Sequence, residues 1–356
     1  MKILYIALKY EYGDVEKGFS YAYYNGYQSL IAMNNKEHQV IFFPYDELLA
    51  SVGRDNMNQM LLEKVAEEKP DLCFFSLFTD EIKQETIQQL TDSGKTVTFN
   101  WFADDKWRFH NYTKYWAPLF SWVSTDQKSA LKEYKKIGYD NVVVGCWGCN
   151  QNIFKPLPLE KIYDVTFVGK VYGVRRKLVE KLKKAGIKIE CFGSGWPNGR
   201  VSQEKMVEIF SQSKINLNFT EKRALSAKSV ARIFFSKKDG KIVFNIPTQW
   251  LGNLRSLLDE LQNEIKGRNF EIPGCDAFMI TGDAQNLEDY YVPDKEIVVY
   301  KNSKDLISKI NDYLAHPKKR EAIAHAGYKR TMQEYTYEKI FNKIFNLIFG
   351  NDRAVL

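Results

Sequence analysis

Two cations and a carboxylate precede an apolar run in the segment KGRNFEIPGCDAFMITGD, residues 266–283. Lys266 and Arg268 could bind a phosphate group, and an arginine can do so with two parallel hydrogen bonds. Glu271 follows three residues after Arg268, and the residues after Gly274 are typical of a buried strand. The segment therefore predicts a phosphate-binding site at the entrance to a strand. The alternative is a helix cap whose charges are solvated.

Three other segments carry glycine or charged residues where apolar runs end. WFADDKWRF (101–109) contains Asp104 and Asp105, VTFVGKVYGVRRKL (165–178) combines glycines with arginines, and CFGSGW (191–196) is rich in small residues. In open α/β sheets, ligands bind beyond the carboxyl ends of the strands. These segments are therefore the places where we expect the rest of the site.

Strand-like and helix-like runs alternate along the whole chain, which is typical of parallel sheets covered by helices. The turn-rich stretch CNQNIFKPLPLEKIYD interrupts the pattern and is the predicted linker. We predict an α/β fold of two Rossmann-like, doubly wound domains facing a central cleft. The predicted domains are 1–155 and 156–333, and residues 334–356 form a helix that packs back on the first domain.

Composition and cysteine content indicate a soluble cytoplasmic protein. The chain has 356 residues, with 44% hydrophobic and 27% charged residues, and its N-terminus is predicted to be a first strand rather than a signal peptide. Five scattered cysteines favour reduced thiols. We interpret the CxxC pair Cys146 and Cys149 as packing thiols. The first strand is not followed by GxGxxG, which disfavours a dinucleotide cofactor at that position, and the chain has no GxxxxGK[ST] motif.

The net charge of +7 is concentrated in one segment, 222–241, which has seven basic residues and one acidic residue. A charge this localised disfavours nucleic-acid binding. Cations beside apolar residues such as those at 233–235 suit an anionic membrane surface or an acidic acceptor, so the protein could be peripheral at a membrane. The alternative is a solvated β-hairpin that turns at 238–240.

The segment KGRNFEIPGCDAFMIT resembles the donor-site segment of the CgeB-type, GT4-like GT-B glycosyltransferase family. Other segments resemble landmarks of this family in the same order: WFADDKWRF, GCWGCNQNIFKP, VTFVGKVYGVRRKLVEKL, CFGSGW, SKINLNF and EYTYEKIF. The resemblance implies the GT-B fold, with 1–155 as acceptor domain and 156–333 as nucleotide-sugar donor domain. It also implies sugar transfer from a nucleotide-diphosphate donor without a metal or another cofactor.

The resemblance further implies how the donor is bound. Lys266 and Arg268 would offset the charge of the diphosphate, Glu271 would accept hydrogen bonds from the ribose hydroxyls, and Gly274 would let the backbone approach the donor. The other implied donor-binding residues are Gly169, Arg175, Gly193 and Trp196.

The match departs from the related enzymes at one position. They carry a second glutamate eight residues before Glu271, where this chain has Asn263, and Glu264 is displaced by one. The contact with the donor sugar and the stereochemical outcome therefore stay open.

On the acceptor side, Asp104 and Asp105 are the candidate catalytic carboxylates, and Trp107 could stack on a sugar ring. The alternative for the aspartates is a turn or a helix cap. The acceptor would be a glycan, a lipid-linked sugar or a protein. Two other functions stay open: a non-catalytic nucleotide-sugar-binding or spore or surface-layer protein, and another enzyme of this architecture, such as an epimerase.

Overall fold

The computed structural model describes residues 1–33, 38–145, 147–220, 225–238 and 241–350, with only the backbone of 237, 238 and 241. The chain divides into two compact units. The first unit comprises Met1–Cys146, Ser226–Asp259 and Ile340–Leu356. The second unit comprises Trp147–Leu225 and Glu260–Lys339.

The strands of the described residues alternate with helices along most of the chain. They are β1 (Lys2–Ala7), β2 (Gln39–Pro44), β3 (Leu72–Ser76), β4 (Val97–Trp101), β5 (Trp122–Thr125), β6 (Val142–Val144), β7 (Tyr163–Val168), β8 (Ile189–Phe192), β9 (Ser213–Asn218), β10 (Phe235–Lys238), β11 (Lys241–Phe244), β12 (Met279–Gly282) and β13 (Val298–Tyr300).

The α-helices of the same residues vary from single turns to more than six turns. They are α1 (Gln28–Ala32), α2 (Tyr45–Glu68), α3 (Gln84–Asp92), α4 (Asp105–Arg108), α5 (Lys114–Trp116), α6 (Leu131–Lys136), α7 (Val174–Lys184), α8 (Gln203–Gln212), α9 (Ala227–Phe234), α10 (Pro247–Glu260), α11 (Arg268–Gly274), α12 (Ser303–Ala315), α13 (Pro317–Glu334) and α14 (Tyr337–Phe349).

The sheet of the first unit is parallel, with the order β2-β1-β3-β4-β5-β6. Its inner strands β1, β3, β4 and β5 are largely buried, as expected for a parallel sheet covered on both faces, whereas the edge strand β2 is mostly half-buried. The register pairs Ala7 with Ser76 and Trp101 with Ser124. The loops after β1, β3 and β4 therefore leave from the same edge of this sheet.

The sheet of the second unit is also parallel, with the order β13-β12-β9-β7-β8. The buried strand predicted after Gly274 is β12, and its residues are almost fully buried. Because the strands are parallel, the loops that follow β7, β8, β9 and β12 share one edge. This edge positions the candidate donor-binding residues.

Residues 226–259 differ from the sequence prediction because they cluster with the first unit rather than with 156–333. They fold as α9, the antiparallel hairpin β10–β11 and α10. The predicted hairpin is therefore present, although its turn at 239–240 and residues 222–224 lie outside the described residues. Gly252 of α10 packs so closely on the first unit that an added Cβ would lie 3.0 Å from the His110 carbonyl oxygen.

The last helix, α14, follows the apolar periodicity of its sequence. Phe341 and Ile344 are buried on one face, and the Phe341 ring lies 5.6 Å from Phe74 and 5.7 Å from Trp101 between ring centroids. The contact division accordingly assigns the chain from Ile340 onwards to the first unit.

Candidate active site

Arg268 and Glu271 form an ion pair in the first turn of α11. The Glu271 side chain is only 1% exposed, so its charge lies in the protein interior. Arg268 also donates a hydrogen bond from Nε to the Val168 carbonyl oxygen over 3.4 Å, at the carboxyl end of β7. The pair therefore joins α11 to the sheet edge where α/β proteins bind ligands.

Lys266 lies on the approach to the same helix and is better exposed than Glu271. Its ammonium group forms an ion pair with Glu264, whose side chain is largely buried. Its backbone N–H donates to Oδ1 of Asn269 over 3.0 Å. This second contact fixes the backbone just before α11, whereas the ammonium group lies near enough to solvent to meet an anion.

A buried amide network holds the start of α11 against the sheet. Asn218, at the end of β9, donates from Nδ2 to Oδ1 of Asn269 and to Oγ1 of Thr281, each over 3.1 Å. Asn269 in turn donates to Oγ1 of Thr281 over 3.3 Å. These three residues were not among the predicted site residues, although polar side chains at the ends of SKINLNF and FMIT were a signal for them.

Gly274 has a packing role that the sequence analysis did not foresee. An added Cβ at this position would lie 2.3 Å from Sγ of Cys149 and 3.5 Å from Cβ of Phe154. Its backbone therefore approaches buried side chains of the second unit closely, which explains the glycine without a donor. Cys149 is a buried free thiol, whereas its CxxC partner Cys146 lies outside the described residues.

The loops after β7 and β8 are in close contact through Gly169, Gly193 and Trp196. Gly193 has a φ of 123°, and an added Cβ would lie 2.4 Å from the Gly169 carbonyl oxygen. That same oxygen accepts a hydrogen bond of 2.9 Å from Nε1 of the buried Trp196. These residues thus shape the sheet edge, and the Trp196 ring is committed to the interior.

Arg175 is buried, which differs from the expectation of a phosphate-binding arginine. Its guanidinium donates to the carbonyl oxygens of Lys170 over 3.0 Å and Phe219 over 2.8 Å, and it stacks on the Tyr172 ring at 4.1 Å. It therefore ties the loop after β7 to the chain after β9. The neighbouring Arg176 is exposed.

A cavity of about 350 Å³ opens at the carboxyl ends of β12 and β13. Its lining combines cationic, polar and apolar side chains: Val174, Lys177, Leu178, Lys181, Asn263, Gly282, Asp283, Tyr300, Lys301, Asn302 and Ser303. Asn263 is fixed there by donating from Nδ2 to the Asp283 carbonyl oxygen over 2.8 Å. The residue at the departure from the family pattern is thus a wall of this cavity.

In the first unit, Asp105 is buried, and this conflicts with its predicted contact with an acceptor. Its side chain accepts hydrogen bonds from the hydroxyls of Thr113 over 2.6 Å and Tyr134 over 2.5 Å. Burial raises the pKa of Asp105 from 3.8 to about 6, against the opposing effect of these hydrogen bonds. Asp105 is only 1% exposed, so its carboxylate does not reach solvent. Its hydrogen bonds instead hold the loop after β4 in position.

The neighbouring residues of this loop are less buried. Asp104 precedes α4 and is half-buried, and so is Trp107, whose ring lies 5.9 Å from the Arg108 guanidinium. Burial is the main cause that lowers the pKa of His110, with opposing effects from the Glu133 and Asp259 carboxylates. Asp104 is less buried than Asp105, so it is the one of the two predicted carboxylates that a substrate could contact.

Exposed aromatic rings flank the same sheet edge, and the sequence analysis did not single them out. Tyr12, in the loop after β1, is 61% exposed, and its ring lies 5.5 Å from that of the exposed Phe78, after β3. Tyr12 has a φ of 57°, which bulky residues seldom adopt. Arg108 fixes the second ring by donating to the Phe78 carbonyl oxygen over 2.8 Å.

Metal-binding clusters and membrane-spanning helices are both absent from the part of the chain that the structure describes. Within it, no three or more His, Cys, Asp or Glu side chains are grouped so that they could hold a metal ion. Within the same residues, every helix is too short or too polar to cross a membrane.

A model of the glycosyl transferase-like family matches residues 175–236 and 236–346. The spore protein CgeB of Bacillus subtilis (strain 168) is 21% identical over 348 residues, which cover 97% of this chain and 98% of that protein. Sucrose-phosphate synthase from Thermosynechococcus elongatus has a similar structure, with a TM-score of 0.60 at 10% identity over 98% of this chain and 99% of the other. The structure of HepE of Anabaena in complex with UDP-glucose is also similar, with a TM-score of 0.60 at 11% identity over 98% of this chain and 99% of the other.

The comparisons confirm the predicted resemblance to CgeB-type proteins and the predicted GT-B fold class. The family model also agrees with the predicted glycosyltransferase activity. The roles of individual site residues stay predictions.

Proposed function

We propose that this CgeB-like chain of GT-B fold is a glycosyltransferase that takes a sugar from a nucleoside-diphosphate sugar. The observation that carries the proposal is the Arg268–Glu271 pair, which lies against the carboxyl end of β7. It stands in the segment that resembles the family's donor site, within the residues that the family model matches. The complex of HepE with UDP-glucose supports a uridine nucleotide as the first donor to test.

In this proposal, Lys266 and Arg268 bind the diphosphate. When the sugar–phosphate bond breaks, the bonding electrons stay with the departing nucleoside diphosphate, whose negative charge rises. Cations already held in place stabilise that charge without reorganising. Glu271 is as buried as Asp105, which conflicts with its predicted contact with the ribose, and its proposed role is to keep Arg268 in position.

The cavity beside Asn263 suits the nucleoside part of the donor. Asn263 lies three residues from Lys266, so their Cα atoms are at most about 11 Å apart. A single nucleotide could therefore extend from the cavity to the cation. Asp283 and Tyr300 offer polar groups to a nucleoside there, and Lys177 and Lys301 add positive charge.

The first unit is proposed to bind the acceptor, and a sugar is the acceptor that its exposed rings suit best. Tyr12 and Phe78 present flat apolar faces at the end of the sheet, and the half-buried Trp107 lies in the loop after β4. Asp104 is then the carboxylate proposed to accept a hydrogen bond or a proton from the attacking hydroxyl. The proposed role of Asp105 is to hold the loop that carries Asp104 in position.

Calorimetric titration and donor turnover test the proposal together. The parent should bind UDP, and Arg268→Lys should weaken binding about tenfold or more, because lysine cannot bind phosphate bidentately. Arg176→Lys is the matched control on an exposed arginine of the same unit, and it should leave affinity unchanged. UDP, GDP, ADP and their sugar conjugates should all be titrated.

Two results would argue against this function. If none of the nucleoside diphosphates binds, the donor site is wrong. If a nucleotide sugar binds but is neither transferred nor hydrolysed with any sugar acceptor tested, the chain is better described as a nucleotide-sugar-binding protein.

A further inference from the structure

We infer that α9, strands β10 and β11, and α10 form a surface that docks on an anionic lipid bilayer. The first observation is a stripe of exposed leucines on α10. Leu251, Leu254 and Leu258 are 62%, 40% and 54% exposed, and their spacing of three and four residues places them on one helical face. Such a stripe normally packs against a core. In α10, however, other residues face the core, including the buried Leu257.

Exposed apolar side chains also occur on the hairpin and on the chain on either side of it. Ile242 is 79% exposed, and the neighbouring apolar side chains are exposed as well: Leu225, Val230, Phe235, Phe244 and Ile246. α9 contributes no buried residue at all among its eight. Exposed apolar groups gathered in this way mark an interaction surface or a membrane contact rather than ordinary surface scatter.

The segment has its own inner layer, so the exposed groups are not needed to hold it together. The buried Asn245 donates from Nδ2 to the Ile233 carbonyl oxygen over 3.2 Å, and its own carbonyl accepts from Nε1 of Trp250 over 2.9 Å. The Phe234 ring lies 5.2 Å from Trp250 between centroids. These contacts join α9, the hairpin and α10, and they leave the outward side chains available for a partner.

Charge identifies the partner. From residue 225 to the end of α10 at Glu260, the chain contains six basic residues and three acidic residues, a net charge of +3: Lys228, Arg232, Lys237, Lys238, Lys241 and Arg255 against Asp239, Asp259 and Glu260. Two copies of this surface would bring like charges together, which opposes self-association. An anionic bilayer offers the opposite charge together with an apolar layer, and each basic residue near it adds attraction.

Vesicle co-sedimentation without a donor tests the inference separately from sugar transfer. The full chain should bind vesicles of phosphatidylcholine with phosphatidylglycerol at low salt and should bind phosphatidylcholine alone much more weakly. The double variant Ile242→Ser, Leu251→Ser should lower the partition coefficient about tenfold or more. Ile162→Ser, on a similarly exposed side chain of the second unit, is the matched control and should match the parent.

A second variant separates charge from apolar contact. Replacing Lys237, Lys238 and Lys241 by Gln should lower binding at least about tenfold at low salt, with a smaller effect as salt screens the attraction. UDP affinity, measured in parallel, should stay at the parental value in all of these variants.

Three results would overturn the inference. One is a parent that binds neither kind of vesicle, and another is an equal loss of binding in the Ile162→Ser control. The third is a dimer of the parent that dissociates on Ile242→Ser, since a second copy would then be what covers the surface.

Discussion

Arg268 and Glu271 stand three residues apart in α11, and their ion pair places the carboxylate almost entirely out of solvent. A buried pair of this kind contributes little net stability, but removing one partner leaves a buried charge without compensation. An alanine substitution in either residue is therefore not a clean probe of donor binding. The two charges must be changed separately and together.

We predict that Arg268→Ala lowers the free energy of unfolding by about 3 kcal/mol or more, because the buried Glu271 carboxylate would lose its partner. The double variant Arg268→Ala, Glu271→Gln should regain much of this loss, since the buried charge is gone. Urea unfolding of the parent, the single variants and the double variant measures the coupling. Both Arg268 variants should still bind UDP poorly.

The reverse pattern would contradict the proposed geometry. If Arg268→Ala unfolds at the parental urea concentration, the carboxylate is not buried against the arginine. If the double variant binds UDP as well as the parent does, the arginine does not contact the diphosphate.

Asp105 gives a pH-dependent prediction. Its pKa is about 6 in the folded protein against 3.8 as its ordinary value, so the folded state binds the proton first. Its contribution to stability is thus fully present below about pH 4 and is lost as the pH rises through about 6. The stability of the parent relative to Asp105→Asn should rise by about 2 kcal/mol as the pH falls from about 7.5 to 4.5.

Denaturant unfolding of both proteins across this pH range is the measurement. Taking the difference between the two proteins removes the titration of groups that they share. A difference that does not change with pH would mean that Asp105 is solvated. A loss of kcat in Asp105→Asn with unchanged stability would return this residue to a direct role in the reaction.

Substitutions at Gly274 and at Cys149 should compensate each other in their effects on stability. Gly274→Ala places a Cβ 2.3 Å from Sγ of Cys149, and overpacking of this kind typically costs about 1–3 kcal/mol. Cys149→Ala removes the clashing sulfur, so the double variant should be more stable than Gly274→Ala alone. Thermal unfolding of all four proteins tests this. Additive effects of the two substitutions would show that the glycine is required for another reason, such as the approach of a donor.

Much of the fold could be predicted because its periodic signals are local. The buried strand predicted after Gly274 is β12, the helix predicted within 334–356 is α14, and the apolar face of α14 follows directly from its spacing. Residues 226–259 cluster with the first unit although they fall within 156–333, because chain order does not determine which unit a segment packs against. That choice depends on contacts between residues distant in sequence, such as Gly252 with His110.

The site was harder to predict than the fold, since residue type does not reveal burial. Arg175 and Asp105 have the right chemistry for a phosphate and an acceptor, yet both are buried and hydrogen-bonded within the protein. The buried Asn218 was passed over because an amide at a strand end has no distinctive spacing. Tyr12 and Phe78 lie 66 positions apart in sequence, and only the parallel sheet brings their loops together.

Tyr12 and Phe78 provide the last prediction, which concerns the acceptor. If a sugar stacks on these rings, Tyr12→Ala and Phe78→Ala should each raise the KM for the acceptor about tenfold, a loss comparable to that of one aromatic contact. UDP affinity should not change, since both rings belong to the first unit. Tyr115→Ala is the matched control, because Tyr115 is an exposed aromatic residue of the same unit, at 46%. Steady-state kinetics with a varied acceptor distinguish the cases, and Tyr12→Phe should retain most of the parental KM because the ring is kept. An equal rise in KM for the Tyr115 control, or no rise in either single variant, would show that the acceptor binds away from these rings.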